Sequence, residues 1–378
     1  MAAVGGRLSS AVLLLLNMAG ALLAPRGALS PAPPAAGAED DADVDFFFFP
    51  FLVLYKSGRV QRFMGTDTVP ASTDPATGVA SRDVVVDAAA GLAARLYLPS
   101  LAAANSTDGG ARLPLLVFYH GGAFVTESAF SPTYHRYLNA LASRARVLAV
   151  SVDYRIAPER RLPAAYDDAW AALRWALASA RSPPGPGAGA ADPWLSRHAD
   201  PARLFLAGDS AGGNIAHNMA MRAGREGLDG GAAIRGLALL DPYFWGRRPV
   251  PSETRDEGMR RWRERTWSFV CAGRYGIDDP VVNPVAMPPE EWRRLASARV
   301  LVTVAGLDML SARGRAYVRA LRASGWRGEA ELYETPGEQH VYFLDKPDSE
   351  KAAKEMEVVA DFINNGGQGS SAALRMDA

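Results

Sequence analysis

A serine lies between glycines at a predicted junction of a strand and a helix. Residues 205–217 read FLAGDSAGGNIAH, with Ser210 at the centre of a G-x-S-x-G pattern. Small residues are needed there because a sharp strand-to-helix turn brings backbones together where a Cβ would collide. Ser210 is therefore a candidate nucleophile. A serine that only caps the following helix fits the same five residues equally well.

A serine nucleophile needs a base, and His340 is the candidate. A hydroxyl is a weak nucleophile at neutral pH until a neighbouring base accepts its proton. In hydrolases built on an α/β sheet, the chain order is serine, then acid, then histidine. Of the five histidines, only His340 lies after Ser210 and also follows a predicted strand, whereas His217 is on the helix after Ser210 and points elsewhere.

The acid that orients this base is predicted to be Asp308. It follows the predicted strand 299–305 in the sequence AGLDML, and one helix and one strand fit between it and His340. Both side chains would then reach the same edge of the sheet. Asp241 is the rival, but it follows a strand that comes one place too early. The alternative role of Asp308 is to cap the next helix.

Backbone donors for a developing oxyanion are predicted after the strand 113–119. The sequence continues as HGGAF, in which Gly121 and Gly122 let the backbone approach a ligand closely. The amide of Ala211, the residue after the candidate nucleophile, is the usual second donor. A glycine pair is also common in ordinary turns, so its position before a G-x-S-x-G pattern is the informative feature.

Apolar runs that alternate with helical patterns predict a doubly wound α/β sheet. The runs at 113–120 and 146–154 show no apolar–polar alternation, which is typical of strands buried on both faces. With RDVVVD and LAARLYLP, the predicted strands number eight. Residues 52–55 and 60–63 predict a separate hairpin. The later predicted elements are helix 164–180, strand 203–207, helix 214–223, strand 236–240, helix 256–270, strand 299–305, helix 313–323, strand 330–334 and helix 349–363.

Composition excludes several classes of protein. The chain has 378 residues, 48% of them hydrophobic, and a formal net charge of zero. Zero net charge argues against a nucleic-acid partner. The single cysteine, Cys271, excludes an internal disulfide and a multi-cysteine metal site. We find no metal ligand set and no glycine loop for phosphate, so we predict no metal and no cofactor. The oligomeric state is left open.

The first 44 residues differ in character from the rest and are predicted to form an extension. Residues 1–38 lack Asp and Glu and contain the apolar run AVLLLLNMAGALLA, which has the size of a signal-peptide core and is too short for stable membrane insertion. A secretory signal, a plastid transit peptide and a retained segment of a cytoplasmic protein all stay open. The predicted domains are an extension (1–44), an α/β domain with cap elements (45–364) and a disordered tail (365–378).

Longer motifs carry a resemblance to a known family. The sequences HGGAF, DYRIAPERRLPAAYDDAWAALRW, LFLAGDSAGGNIAHNMAMRAG, LDPYFWG, DDPVVNP, AGLDML and EQHVYF resemble those of plant carboxylesterases of the hormone-sensitive-lipase group, from about residue 45 to 364. The resemblance implies an α/β-hydrolase fold, a Ser210–His340–Asp308 triad, and an oxyanion motif at His120-Gly121-Gly122. The family often has a third glycine where this chain has Ala123, which keeps the backbone N–H.

The resemblance also implies the alternatives. Gibberellin receptors of this group lack the catalytic histidine, and relatives that act as dehydratases have threonine in the nucleophile position, so His340 and Ser210 favour an esterase. Lactone-forming transesterases use the same triad and stay open. Relatives fold the N-terminal segment over the pocket mouth, so we expect residues 46–51 (FFFFPF) and 242–297 to cap an apolar pocket for small esters with short-to-medium acyl groups.

Two polar stretches need an interpretation of their own. We expect Asp153, Arg155 and Glu159 of DYRIAPE to form a buried network that holds the oxyanion loop. A site for a charged substrate is the alternative. Residues 255–265 are rich in Arg, but Asp256, Glu257 and Glu264 interleave. We interpret this stretch as a solvated helix face.

Overall fold

The computed structural model of the chain describes residues 43–100, 112–183 and 191–365. Its strands are β1 (Val44–Phe48), β2 (Leu52–Tyr55), β3 (Val60–Arg62), β4 (Ala80–Asp87), β5 (Leu92–Leu98), β6 (Leu113–Tyr119), β7 (Leu148–Asp153), β8 (Ala199–Asp209), β9 (Ile234–Leu240), β10 (Arg299–Ala305) and β11 (Glu329–Thr335). Its α-helices are α1 (Pro132–Ala145), α2 (Ala164–Arg181), α3 (Pro193–His198), α4 (Ala211–Glu226), α5 (Glu257–Cys271), α6 (Pro289–Trp292), α7 (Ser311–Ala323), α8 (Tyr342–Asp345) and α9 (Glu350–Asn364).

Eight strands form the main sheet in the order β11-β10-β9-β8-β6-β7-β5-β4. The pairs from β11 through β7 are parallel, and the pairs β7–β5 and β5–β4 are antiparallel. This is the predicted eight-stranded, mostly parallel sheet.

Helices cover both faces of this sheet, which explains why its central strands read as continuous apolar runs. All seven residues of β6 are buried. Its alternate side chains enter two different cores, because successive Cβ atoms of a strand point to opposite faces. One core contains Leu115 and Val117 with residues of α2, α4 and α7. The other contains Leu116 and Phe118 with residues of α1 and α9. The predicted α/β-hydrolase fold is confirmed.

Several elements differ from the prediction: β1, α1, α3, α6 and α8 were not predicted, and β8 begins earlier than predicted. Helix α1 was not predicted, although Ser131 at its N-cap, Pro132 at its first position and buried Tyr134 and Leu138 are ordinary helix signals. Strand β8 begins at Ala199 instead of residue 203, and its ladder with β6 shifts register at Pro114/Leu115. The first five residues of β8, ADPAR, include an aspartate, a proline and an arginine. They interrupt the apolar pattern, so the sequence did not predict this part of the strand.

The cap elements are the small sheet β1-β2-β3 and the segment between β9 and β10. Strands β2 and β3 form the predicted antiparallel hairpin, with Leu52 opposite Arg62. The segment 242–297, every residue of which is described, contains α5 and α6 and no strand, only an isolated bridge at Ser297. Helices cover this part of the chain, as predicted.

The predicted extension and tail lie almost entirely outside the described residues, so the three-part division of the chain stays a prediction. Strand β1 begins at Val44 and α9 ends at Asn364. In the described ranges, no helix is both long enough and apolar enough to cross a lipid bilayer.

Candidate active site

Ser210 lies at a strained turn between β8 and α4. Its φ of 51° and ψ of −115° fall outside the regions that a non-glycine residue ordinarily adopts. The turn is held by the amide of Ser210, which donates to the carbonyl of Leu240 at 2.8 Å. A Cβ at Gly212 would collide with the carbonyl oxygen of Tyr119. The glycine pattern therefore reflects close backbone approach, as the sequence predicted.

Three side chains from separate strand ends form a hydrogen-bonded chain. His340 Nε2 lies 2.9 Å from Ser210 Oγ, and His340 Nδ1 lies 2.7 Å from Asp308 Oδ2. The other oxygen of Asp308 accepts a hydrogen bond from the amide of Leu310 at 2.9 Å, which fixes the carboxylate. Ser210 and Asp308 are buried, and the His340 side chain is 27% exposed. A hydroxyl, an imidazole and a carboxylate in this order can remove a proton from the hydroxyl.

The charges around His340 favour its protonated form. Burial alone would lower its pKa, but the charge and hydrogen bond of Asp308, helped by Asp241, raise the pKa of His340 above its usual value. Arg263 acts in the opposite direction. The imidazole is therefore a strong proton acceptor, because its protonated form is stabilised where it forms.

Asp241, the rival acid, has a different position. Its Oδ1 accepts the amide of Ala305 at 2.7 Å and its Oδ2 accepts the amide of Val341 at 2.8 Å. Burial, together with the charge of Asp308, raises the pKa of Asp241. The carboxyl group thereby joins the end of β10 to the loop that carries His340. Asp241 thus positions the segments that carry Asp308 and His340, whereas Asp308 is the carboxylate that contacts the imidazole.

Asp241, Asp308 and His340 also come close enough together to resemble a metal ligand set, with one possible ligand atom each within 4.8 Å of the others. Each of these atoms already has a protein partner in the hydrogen bonds just described. Protein hydrogen bonds therefore account for the close approach of these three groups. The absence of a metal and of a cofactor stays a prediction.

The loop after β6 contains the predicted oxyanion motif, but one of its predicted donors already has an acceptor. The amide of Gly121 donates to the hydroxyl of Tyr134 at 2.7 Å, so it is already used. Among the described contacts, the amides of Gly122, Ala123 and Ala211 have no acceptor. The chain turns through the left-handed region at Gly122 (φ 97°) and Ala123 (φ 54°). This narrows the candidate donors to Gly122, Ala123 and Ala211.

Gly121 and His120 support the loop. A Cβ at Gly121 would collide with the Asp209 carboxyl group. The His120 ring stacks on Tyr154 with 4.2 Å between ring centroids, and its Nδ1 lies 2.8 Å from the carbonyl oxygen of Gly121. Burial lowers the pKa of His120 to about 4, so the ring is neutral at pH 7. The Tyr154 hydroxyl donates to the carbonyl of His120 at 2.6 Å.

The residues of DYRIAPE do not form the single network that we expected. Asp153 accepts the amide of Ala129 at 3.1 Å, and Arg155 pairs with Asp168 at 2.7 Å. Glu159 pairs with Arg62 at 2.6 Å, and Arg62 also donates to the carbonyl of Val125. These are three separate contacts, because the three side chains leave the strand end in different directions. Tyr154, between them in sequence, donates to the carbonyl of His120 and so supports the candidate oxyanion loop together with Tyr134.

Asp209 and Tyr134 form a buried pair behind the loop that sequence reasoning missed. The Tyr134 hydroxyl donates to Asp209 Oδ2 at 2.9 Å while it accepts the amide of Gly121. Burial raises the pKa of Asp209 to about 7, against the opposing hydrogen bond from Tyr134. The pair connects the residue before Ser210 to the oxyanion loop. Asp209 was visible in the motif, but Tyr134 lies on the helix that was not predicted.

The remaining histidines have other partners. His217 Nδ1 lies 3.1 Å from the hydroxyl of Tyr317, and burial lowers the pKa of His217 to about 3. His135 contacts Ser72, Tyr97, Arg95 and Asn139. His198 is the last residue of α3. Only His340 reaches Ser210 among the described histidines.

Comparison with known proteins identifies the family. Residues 116–344 match the family described as the alpha/beta hydrolase fold. The chain is 43% identical over 330 residues to "Probable carboxylesterase 13" of Arabidopsis thaliana, which covers 85% of this chain and 98% of that protein. It is 44% identical over 320 residues to "Tuliposide A-converting enzyme 1, chloroplastic" of Tulipa gesneriana, covering 85% of this chain and 77% of that protein.

A solved structure shows the same fold. The crystal structure of a thermostable esterase from Pseudomonas putida superimposes with a TM-score of 0.60 at 25% identity, covering 78% of this chain and 85% of that chain. The sequence match, the fold match and the eight-stranded sheet agree with one another. This chain belongs to the plant carboxylesterases of the α/β-hydrolase family and is a carboxylic ester hydrolase.

Proposed function

We propose that this hydrolase cleaves small carboxylic esters through an acyl-enzyme on Ser210. His340 Nε2 takes the proton of Ser210 Oγ as the oxygen attacks the ester carbonyl carbon, and then gives it to the leaving alcohol. Asp308 holds the imidazole through Nδ1 and stabilises its positive charge. The observation that carries the proposal is the continuous chain from Ser210 Oγ through the imidazole to Asp308, at 2.9 and 2.7 Å.

The tetrahedral intermediate needs donors for its oxyanion. The amides of Gly122, Ala123 and Ala211 supply them, and their positions are fixed by the turn at Ser210 and by the Tyr134–Gly121 contact. Fixed backbone dipoles stabilise developing charge without reorganisation, which makes them effective in a buried site. Water then enters in place of the alcohol, and His340 Nε2 takes a proton from it as it attacks the acyl carbon. The imidazolium gives this proton to Ser210 Oγ as the acyl–oxygen bond breaks, which releases the acid and restores the enzyme.

Hydrolysis of 4-nitrophenyl butyrate by the wild type and by Ser210→Ala tests this proposal. We expect Ser210→Ala to lose on the order of 10⁴ or more in kcat, as for other triads. Ser182→Ala, a half-buried serine at the C-cap of α2 whose hydroxyl donates to the carbonyl of Ala178, is the matched control and should keep full activity. Near-normal turnover by folded Ser210→Ala would overturn the proposal.

The role of Asp308 has its own signature in the pH dependence. Asp308 raises the pKa of His340, so kcat/KM should rise with pH as this histidine loses its proton. The midpoint of this rising limb should lie above the usual pKa of histidine. In Asp308→Asn the raising charge is absent, so this limb should move to lower pH while kcat falls by orders of magnitude. A limb at the same pH in both proteins would contradict the role of Asp308.

The acyl-enzyme can be released by water or by a hydroxyl group of the substrate itself. We include the second acceptor because the chain is similar to a tuliposide A-converting enzyme as well as to a carboxylesterase. Product analysis of 4-hydroxyacyl esters in ¹⁸O-labelled water separates the two routes. Hydrolysis gives a labelled hydroxy acid, and transesterification gives an unlabelled lactone.

A further inference from the structure

Arg263 on the cap helix α5 has no carboxylate partner among the described residues. The residue is half-buried. Its Nη2 lies 2.6 Å from the thioether sulfur of Met309, and its guanidinium carbon lies 5.9 Å from the ring centroids of both Tyr243 and Trp245. A guanidinium group carries five N–H donors. The Tyr243 hydroxyl accepts one of them and the Met309 thioether is a weak acceptor, so neither partner neutralises the positive charge.

The other arginines of α5 are placed differently. Arg260 pairs with Glu253 at 3.3 Å and also donates to the carbonyls of Gly246 and Arg247. Arg261 pairs with Glu257 at 2.9 Å, and Arg265 is exposed to water. In the part of the chain that the structure describes, Arg263 is the half-buried arginine of this helix without an ion pair to a carboxylate. The helix face that carries it is therefore not the solvated face that we expected from the sequence.

Arg263 lies next to both ends of the proposed triad. Met309, its contact, directly follows Asp308 in the chain. Tyr243, whose ring it faces, donates its backbone amide to the carbonyl of Ser210 at 2.8 Å. Its charge also acts on His340, whose pKa it lowers. The guanidinium thus lies close enough to the proposed triad for its charge to act on the imidazole of His340.

The positive charge of Arg263 near His340 opposes catalysis, and an anion bound to the guanidinium would remove this effect. A positive charge near His340 opposes formation of the imidazolium ion during attack on an uncharged ester. A substrate with a carboxylate would neutralise the guanidinium and remove that opposition. It would also offer the guanidinium a planar, bidentate partner, the geometry that arginine matches best.

We propose that Arg263 binds a carboxylate group of the substrate, so that the preferred substrates are esters that carry a second, ionised carboxyl group. This deepens the proposed function and rests on it. The ester carbonyl lies at Ser210 and the free carboxylate at the guanidinium of Arg263. Residues on α5 thereby select substrates by charge, while the triad carries out the bond cleavage.

Two matched pairs of esters test the charge preference. The first pair is mono-4-nitrophenyl glutarate and 4-nitrophenyl pentanoate, which place the charge on the acyl side. The second is 4-acetoxybenzoate and its methyl ester, which place it on the alcohol side. After subtraction of the uncatalysed rates, the ratio of kcat/KM for the charged ester to that for the neutral ester is compared between proteins.

We expect Arg263→Gln to lower this ratio about 10- to 100-fold for one of the two pairs, mainly through KM, because a charge-assisted bidentate contact is lost. Arg263→Lys should retain part of the preference. Arg261→Gln removes an exposed, paired arginine from the same helix and should leave the ratio unchanged. In the wild type, added NaCl should raise KM for the charged ester more than for the neutral one.

The outcomes separate this inference from the proposed function. A ratio that is the same in the wild type and Arg263→Gln for both pairs would overturn the carboxylate site while the esterase stands. If Arg263→Gln does not fold, the salt dependence in the wild type decides, and equal effects on both esters would overturn the site. Failure of the wild type to hydrolyse even the neutral esters would instead overturn the proposed function.

Discussion

Asp209 directly precedes Ser210 and is a buried carboxyl group with few partners. One oxygen accepts the Tyr134 hydroxyl at 2.9 Å, and the other has no hydrogen-bond partner among the described residues. Burial raises its pKa to about 7, while a carboxyl group in an unfolded chain has a pKa near 4. The site thus keeps a proton on this group at a pH where exposed carboxylates have lost theirs.

This difference makes stability depend on pH through Asp209. Between about pH 4 and pH 7 the folded protein holds a proton here that the unfolded chain has released, so this group makes the free energy of unfolding fall as pH rises. Asp209→Asn keeps the shape and removes the titration. We expect the Tm of Asp209→Asn, relative to wild type, to increase from pH 5 to pH 8 in thermal denaturation at constant ionic strength.

The control is Asp361→Asn, which changes an exposed carboxylate on α9. Its Tm difference from wild type should stay flat over the same range. A flat or falling difference for Asp209→Asn would mean that Asp209 is ionised in the folded protein at pH 5.

Residue types and chain order were enough to predict the residues that meet at Ser210, but not those that act around it. Ser210, Asp308 and His340 follow strands, and parallel strands end at one edge, so their meeting could be expected. The roles of Asp241, Tyr134 and Arg263 depend on where side chains leave a loop or a helix. Arg263 differs from Arg261 by two positions on one helix, and only the packed structure tells which one faces the site.

At the scale of elements, the aromatic segment (residues 46–51) packs on α5. Phe46 stacks on Phe269 with 4.2 Å between ring centroids and lies 6.1 Å from Trp262. Phe48 is buried against the same rings. Phe47 points the other way and is 37% exposed. The alternation of β1 thus turns one side of the segment toward the helix that carries Arg263.

Phe46→Ala and Phe47→Ala form a matched pair for this contact. We expect Phe46→Ala to lower the free energy of unfolding by about 2 kcal/mol, roughly half the cost of truncating a fully buried Phe. Phe47→Ala should change it by no more than about 0.5 kcal/mol, as for most surface positions. Chemical denaturation measures both. Equal effects of the two substitutions would contradict the packing of the segment on α5.

The sequence predicted the strands that are buried on both faces. It did not predict a helix in which polar residues interrupt the apolar pattern. The run in β6 is apolar throughout because helices cover both of its faces. Helix α1 carries mixed polar and aromatic residues, and its apolar stripe emerges only when Tyr134, Leu138 and Leu141 are placed on one face. The local apolar pattern in the sequence therefore predicted the buried strands but not α1.

At the scale of the whole molecule, the reacting groups follow strands of the main sheet, and the cap helix α5 contacts the residue next to one of them. The oxyanion loop follows β6, Ser210 follows β8, Asp308 follows β10 and His340 follows β11. The aromatic segment reaches α5, and α5 contacts the residue next to Asp308. We therefore keep the prediction that these cap elements limit the acyl pocket, so that acyl groups of about C2 to C6 are preferred. Each further methylene gains roughly 0.8 kcal/mol only while the pocket has room.

Two deletions test the part that the aromatic segment plays in this arrangement. Deletion of residues 1–51 removes Phe46 and Phe48 from α5, so we expect a higher KM for 4-nitrophenyl butyrate or a lower Tm. Deletion of residues 1–38 leaves every one of these aromatic contacts in place and should change neither quantity. The two truncated proteins are compared with wild type by steady-state kinetics, a series of acyl esters from C2 to C16, and thermal denaturation. An unchanged KM and Tm after the longer deletion, or efficient hydrolysis of emulsified long-chain triglycerides by the wild type, would contradict a cap built from this segment, because neither result is compatible with a pocket closed by rings packed on α5.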